Sequence, residues 1–279
     1  MTLVPDNAIV GGFRVAHGIH GAGEPLVLIH GTPSSSHIWR NVLPELVAAG
    51  YHVHILDLLG FGRSERPQEP SIDTSVTAQV DIVVELMDHW GLDHAHIVGH
   101  DIGGSTALRL AVFHPDRLRS LTVADPCSFD SWPSPRTKVQ MAEGLDKLIA
   151  APPNEHRAHF EEWLLSTVVD PTRLRAEALD HYLDQISGPI GQASLFHHQV
   201  RHYDERHTME LNDHLAGLTG FPVHIIWGAD DAWQVLDWAH RLHAAIPGSH
   251  LTVIEDAGHF CMEDRPDAVA AAILGQLAA

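Results

Sequence analysis

The chain has 279 residues, 44% of them hydrophobic, which suffices for one large domain or two small ones with a sizeable buried core. Its 17 Lys and Arg against 36 Asp and Glu leave a formal charge of −19, which repels phosphate backbones and anionic lipid surfaces and argues against nucleic-acid or membrane partners. No leader-like start and no run of roughly 18 apolar residues is present, and two cysteines, Cys127 and Cys261, are too few for a disulfide scaffold, so the chain reads as cytoplasmic with free thiols.

In chain order, short apolar runs alternate with longer amphipathic stretches. Strands are predicted at Pro25 to Ile29, His52 to Leu56, His94 to Val98 and Ser120 to Ala124, with helices at about Ile38 to Ala49, Thr74 to Trp90 and Gly103 to His114. This βα alternation predicts an α/β fold: a mostly parallel sheet with helices on both faces and ligands at the strand ends. From Ser131 to about Leu215 the strand signals stop and a proline-punctuated helical pattern takes over. The sheet pattern resumes at Pro222 to Trp227, followed by a helix near Val235 to Ala245, a strand at His250 to Glu255 and a final helix from Arg265. The expected organisation is a core of residues 1–130 and 216–279 with a helical cap of residues 131–215.

The site-bearing segments all follow strands. Gly99-His100-Asp101-Ile102-Gly103-Gly104 has the strand, tight turn and helix context of a nucleophile elbow, with aspartate where serine usually stands. His30-Gly31-Thr32-Pro33 follows an earlier strand, where the amide of Thr32, together with that of Ile102, can face an anionic intermediate. Trp227 to Asp231 and Gly258-His259-Phe260 then supply an acid and a histidine, in the chain order nucleophile, acid, histidine.

With these segments, with Ser35 to Asn41, Asp57 to Ser64 and Gly258 to Asp264, the sequence resembles the α/β-hydrolase superfamily over nearly its whole length. It is most similar to the aspartate-nucleophile branch that holds epoxide hydrolases and haloalkane dehalogenases. The resemblance implies a catalytic triad of Asp101 as nucleophile, His259 as base and Asp231 orienting the histidine; Asp230 and Asp125 are the alternative acids. A carboxylate is already anionic at neutral pH and can attack an sp³ carbon without prior deprotonation, after which His259 activates the water that hydrolyses the ester. Cofactors and metals are not implied.

The leaving group divides the branch. Haloalkane dehalogenases carry Trp after the nucleophile and usually Asn in the HGx loop, where this chain has Ile102 and Thr32; the Arg that fluoroacetate dehalogenases carry after the nucleophile is absent too. A halide site would need cap residues such as Trp163. Epoxide hydrolases match better at His30 to Pro33 and need cap acids, usually tyrosines; Tyr182 and Tyr203 are the candidates, with His181, His198 and His202 as substitutes. Epoxide opening is the preferred reading, ahead of dehalogenation, ester or lactone hydrolysis, and a non-catalytic binding module. The expected partner is a small, mostly neutral organic molecule, and a homodimer is left open. The 24 histidines read as packing and surface residues rather than metal ligands, and predict acid sensitivity.

Overall fold

The computed structural model describes residues 2–277. Eight strands form one sheet: β1 (Asp6–Val10), β2 (Phe13–Gly21), β3 (Glu24–Ile29), β4 (Tyr51–Leu56), β5 (Ala95–His100), β6 (Leu118–Ala124), β7 (Val223–Gly228) and β8 (His250–Ile254). Their spatial order is β1-β2-β4-β3-β5-β6-β7-β8; β1–β2 and β2–β4 pair antiparallel, and every later pair is parallel. The central strands are buried end to end, as Leu26 to Ile29 and Ile97 to His100 show, because helices cover both faces.

Helices α1 (Leu43–Ala48), α2 (Val76–His89) and α3 (Ile102–Phe113) belong to the first half of the sheet. The helix predicted from Ile38 to Ala49 is two pieces, a 3₁₀ turn at Ser36–Trp39 and α1. Pro44 has no N–H to give and so fits only the first turn of a new helix, which restarts the chain there. The antiparallel β1–β2 hairpin was not predicted: β2, FRVAHGIHG, dilutes its apolar positions with glycine and histidine.

Between β6 and β7 the chain leaves the sheet for an inserted helical region: α4 (Pro135–Glu143), α5 (Leu145–Ile149), α6 (Pro153–Leu165), α7 (Pro171–Glu177), α8 (Leu179–Ile186), α9 (Gly188–Ser194), a π turn at Leu195–Gln199, and α10 (Arg206–Met209). Helices α11 (Asp237–Ala245), α12 (Cys261–Asp264) and α13 (Pro266–Leu277) complete the chain. No helix among the described residues is long and apolar enough to cross a membrane.

Several histidines are packed into this framework without their full complement of hydrogen bonds. His54, 1% exposed on β4, lies between His52 and the Trp90 ring, and neither of its ring nitrogens has a partner. Burial, then the neighbouring His52 and His17, push its pKa down to about 4. The unfolded chain takes up a proton near pH 6.5 that the folded chain refuses until about 4, so stability falls as the pH drops through that window. His54→Leu should therefore raise the unfolding free energy by roughly 1 kcal/mol or more at pH 7, where two unsatisfied nitrogens are removed. The advantage should widen between pH 6.5 and 4. Denaturant titrations of both proteins at pH 7 and pH 5 measure this, and an equal or smaller advantage at pH 5 refutes it.

Candidate active site

Asp101 stands between the end of β5 and the start of α3 with φ 54° and ψ −123°, a conformation that lifts its side chain above the sheet. Glycine makes the turn feasible: a Cβ on Gly99 would lie 2.3 Å from the Gly103 carbonyl oxygen, and one on Gly103 would lie 2.2 Å from the oxygen of His30. The loop after β3 is held close by His30, whose Nδ1 donates to Gly31 O at 2.8 Å while its Nε2 accepts from Leu58 N at 2.9 Å.

The Asp101 carboxylate is 3% exposed and tied at both oxygens. The Thr32 amide donates to Oδ2 at 2.7 Å, and the Ile102 amide also donates to the group. The Cys127 thiol donates to Oδ1 at 2.9 Å. Burial raises the pKa of this carboxyl; His259, the thiol and the two amides work against that rise.

His259, at the end of the loop after β8, donates from Nδ1 to Asp231 Oδ2 at 2.8 Å. Its Nε2 faces Asp101 Oδ1 at 3.8 Å and has no hydrogen-bond partner in the protein. Asp231 is itself fixed, because Oδ1 accepts the amides of Trp233 at 2.7 Å and Gln234 at 2.8 Å. Burial disfavours a charge on His259, but Asp231 first, then Asp101 and Asp125, outweigh it and push its pKa up to about 9. Above it the Trp233 ring stacks at 5.2 Å and 23°, and Trp163 stacks on Trp233 at 4.5 Å. The indole N–H of Trp233 is spent on Ser166 Oγ at 2.9 Å.

Of the alternative acids, Asp230 is exposed. Asp125 is fully buried and accepts the Gly228 amide at 2.8 Å, a link between the ends of β6 and β7. Burial, and next the Asp231 charge, push its pKa well above the carboxylate range. It is Asp231 that contacts the imidazole.

A cavity of about 270 Å³ lies over these groups, with Asp101, Thr32 and His259 as its floor and Trp132, Trp163, Trp233 and Tyr203 among its walls. Three larger hollows, of about 570, 720 and 470 Å³, lie around His37 and His181, around His156 and His159, and around Arg14 and Arg63; none of them includes Asp101. Tyr203 hydrogen-bonds the Thr32 hydroxyl at 2.6 Å. That hydroxyl donates to Gln199 Oε1 at 2.9 Å, so the phenol is the donor to it. Burial raises the Tyr203 pKa and keeps the phenol protonated.

Tyr182, the other predicted cap acid, is not at this cavity. Its phenol donates to Glu263 Oε1, whose carboxylate Arg40 grips at 2.5 and 2.7 Å, so it serves a buried polar cluster between the inserted helical region and the rest of the chain instead. The substitute histidines are displaced for similar reasons: His181 stacks on His37 at 3.8 Å, His198 bonds the Pro67 carbonyl at 2.7 Å, and His202 lies 3.7 Å from Asp73. Sequence reasoning missed Cys127, Trp132, Trp233 and Gln234. The signal for Trp233 and Gln234 was their place directly after Asp231, and for Cys127 its place just past β6.

A family model described as alpha/beta hydrolase fold matches residues 24–266. The crystal structure of an alpha/beta hydrolase fold protein from Burkholderia ambifaria is 32% identical, with a TM-score of 0.90, covering 99% of this chain and 98% of that one. Haloalkane dehalogenase 2 of Mycobacterium tuberculosis is 27% identical over 268 residues, 94% of this chain and 90% of its own. A 2-hydroxy-6-oxononadienedioate/2-hydroxy-6-oxononatrienedioate hydrolase of Paraburkholderia phymatum is 27% identical over 272 residues, 91% of this chain and 88% of its own.

Proposed function

Because the chain belongs to the alpha/beta hydrolase fold family, we propose that it is a hydrolase that opens an epoxide to a diol through an ester on Asp101. Oδ1 attacks a ring carbon, the carbon–oxygen bond breaks, and the ring oxygen takes the Tyr203 proton. Forming the ester removes the Asp101 charge, which together with that of Asp231 holds the proton on His259, so the histidine releases it and the phenolate on Tyr203 is reprotonated. Neutral His259 then draws a proton from water as the water attacks Cγ, with the oxyanion on Oδ2 facing the Thr32 and Ile102 amides. As the Cγ–Oδ1 bond breaks, the departing alkoxide takes the proton back from His259, and the new carboxyl gives its own proton to the imidazole. The site returns to its resting charge.

The observation that carries this reading is the Tyr203 phenol in the same small cavity as Asp101, hydrogen-bonded to Thr32 and kept protonated. An opening epoxide needs such a donor and a departing halide does not. The cavity volume, about 270 Å³, sits at the small end for ligand sites and supports a compact substrate. Tyr203→Phe should slow ester formation from epoxides by about 10²-fold while leaving any reaction with alkyl halides within a few-fold. Stopped-flow measurement of the alkylation step on both substrate classes reads this, and an unaltered epoxide rate removes Tyr203 from the mechanism.

A second reading, hydrolysis of a carbon–halogen bond, is favoured by the indoles of Trp132 and Trp163 on the cavity wall and by the 27% identity to a haloalkane dehalogenase. Single turnover in H₂¹⁸O with excess enzyme, across epoxide, haloalkane and ester panels, separates the two by whether diol or halide appears. Label entering Asp101 supports the ester intermediate. Turnover without label there rules it out.

A further inference from the structure

Cys127 and Gln234 lie outside the triad, yet they join its two halves. Cys127 is 1% exposed, and its thiol donates to Asp101 Oδ1, the oxygen that the Thr32 amide does not engage. Gln234 Nε2 lies 3.8 Å from Cys127 Sγ and donates to it. The Gln234 backbone amide donates to Asp231, and its carbonyl accepts the Trp227 indole at 2.7 Å, so the residue is anchored on the side of the acid. Gln234 is 5% exposed and lines the cavity, and its Oε1 is buried with no partner. The hydrogen bonds thus run in a near-closed circuit from Asp101 through Cys127, Gln234 and Asp231 to His259, whose Nε2 returns to within 3.8 Å of Asp101.

We propose that Cys127 is a catalytic residue that hydrogen-bonds the reacting oxygen of Asp101, with Gln234 positioning its thiol, and that this bond eases departure of the alcohol in the hydrolytic step. The proposal rests on the ester mechanism above. In the alkyl-enzyme Oδ1 is an ester oxygen, a poor acceptor. As the Cγ–Oδ1 bond breaks, the electron pair moves onto Oδ1 and the S–H···O bond strengthens, which stabilises the transition state more than the ester. The proton that completes the alcohol comes from His259, and the thiol keeps its own: burial and the Asp101 charge raise its pKa well above the ordinary value.

In the resting enzyme the same bond stabilises the Asp101 carboxylate. Facing that carboxylate are His259, Cys127 and the Thr32 and Ile102 amides, with Tyr203 on Thr32 and with Asp231 and Asp125 beside His259. Removing the thiol leaves all of these in place.

The test uses Cys127→Ala, Cys127→Ser and Gln234→Leu in the full chain. Infrared titration of the Asp101 carboxylate in the resting enzyme should show its midpoint moved up in Cys127→Ala and returned towards wild type in Cys127→Ser, whose hydroxyl also donates. In single turnover, Cys127→Ala should retain the burst of ester formation but hydrolyse the ester about tenfold more slowly, Gln234→Leu should lie between it and wild type, and Cys127→Ser should recover most of the rate. An unmoved Asp101 midpoint, or ester decay at the wild-type rate in Cys127→Ala, overturns the proposal. If wild type itself forms no ester on Asp101 with any substrate, the proposed function fails instead, and the carboxylate titration still decides the thiol's bond.

Discussion

Asp101→Asn should lose turnover by at least about 10³-fold on every substrate the wild type accepts, because a neutral amide cannot supply the carboxylate attack. No adduct on residue 101 should appear by peptide mass spectrometry. The variant should not lose stability with its activity. Burial raises the Asp101 pKa, which means that folding penalises the ionised form at neutral pH, and Asn removes that charge while keeping an oxygen for the Thr32 amide. A thermal midpoint at or above wild type with activity gone is the expected pair of results; near-wild-type turnover ends Asp101's role as nucleophile.

His259→Gln should separate the two chemical steps. Attack by Asp101 needs no base, so a stoichiometric burst of alkyl-enzyme should form, whereas its hydrolysis should slow by about 10²- to 10⁴-fold. The pH dependence carries a sign of its own. In the resting wild type, Asp231, Asp101 and Asp125 hold the His259 pKa at about 9, and the raised value stabilises the fold below pH 6.5 and fades as the pH rises through 9. Esterification removes the Asp101 charge, so the acid limb for ester hydrolysis should lie below the midpoint seen in the resting enzyme by NMR of the imidazole. Steady turnover without ester accumulation in His259→Gln contradicts the assignment of the base. An acid limb at or above the resting midpoint contradicts the charge coupling.

The parts of this molecule most legible in the sequence are those where one segment carries its own signal. Strands β3 to β8 are short apolar runs that stop at Gly, Asp or Pro, and Asp101, Asp231 and His259 each stand just past one of them, so topology alone brings them together. Residues whose meaning lies in what they touch across the fold were not legible. Tyr182 and Tyr203 are both buried in the inserted region, and only the nearby Glu263 and Arg40 send the first away from the cavity that receives the second. Cys127 reads as an ordinary buried thiol until Asp101, 26 positions earlier in the chain, is placed 2.9 Å away. The β1–β2 hairpin escaped because alternation, the usual sign of a half-buried strand, is blurred by its glycine and histidines.

The helical region enters and leaves between β6 and β7, which are neighbours in the sheet. A segment grafted at one seam can be exchanged or rebuilt without shifting the register of any strand. Asp101, His259 and Asp231, the proposed triad, lie on the sheet side of that seam: they come from the ends of β5, β8 and β7, while Tyr203 and Trp163 come from the inserted region. The proposed triad and most of the cavity wall are therefore encoded in separable stretches of the gene, with Tyr203 the one proposed proton donor that the insertion supplies. Recombining residues of the insertion while leaving the strand ends untouched is the direct route to retargeting this scaffold.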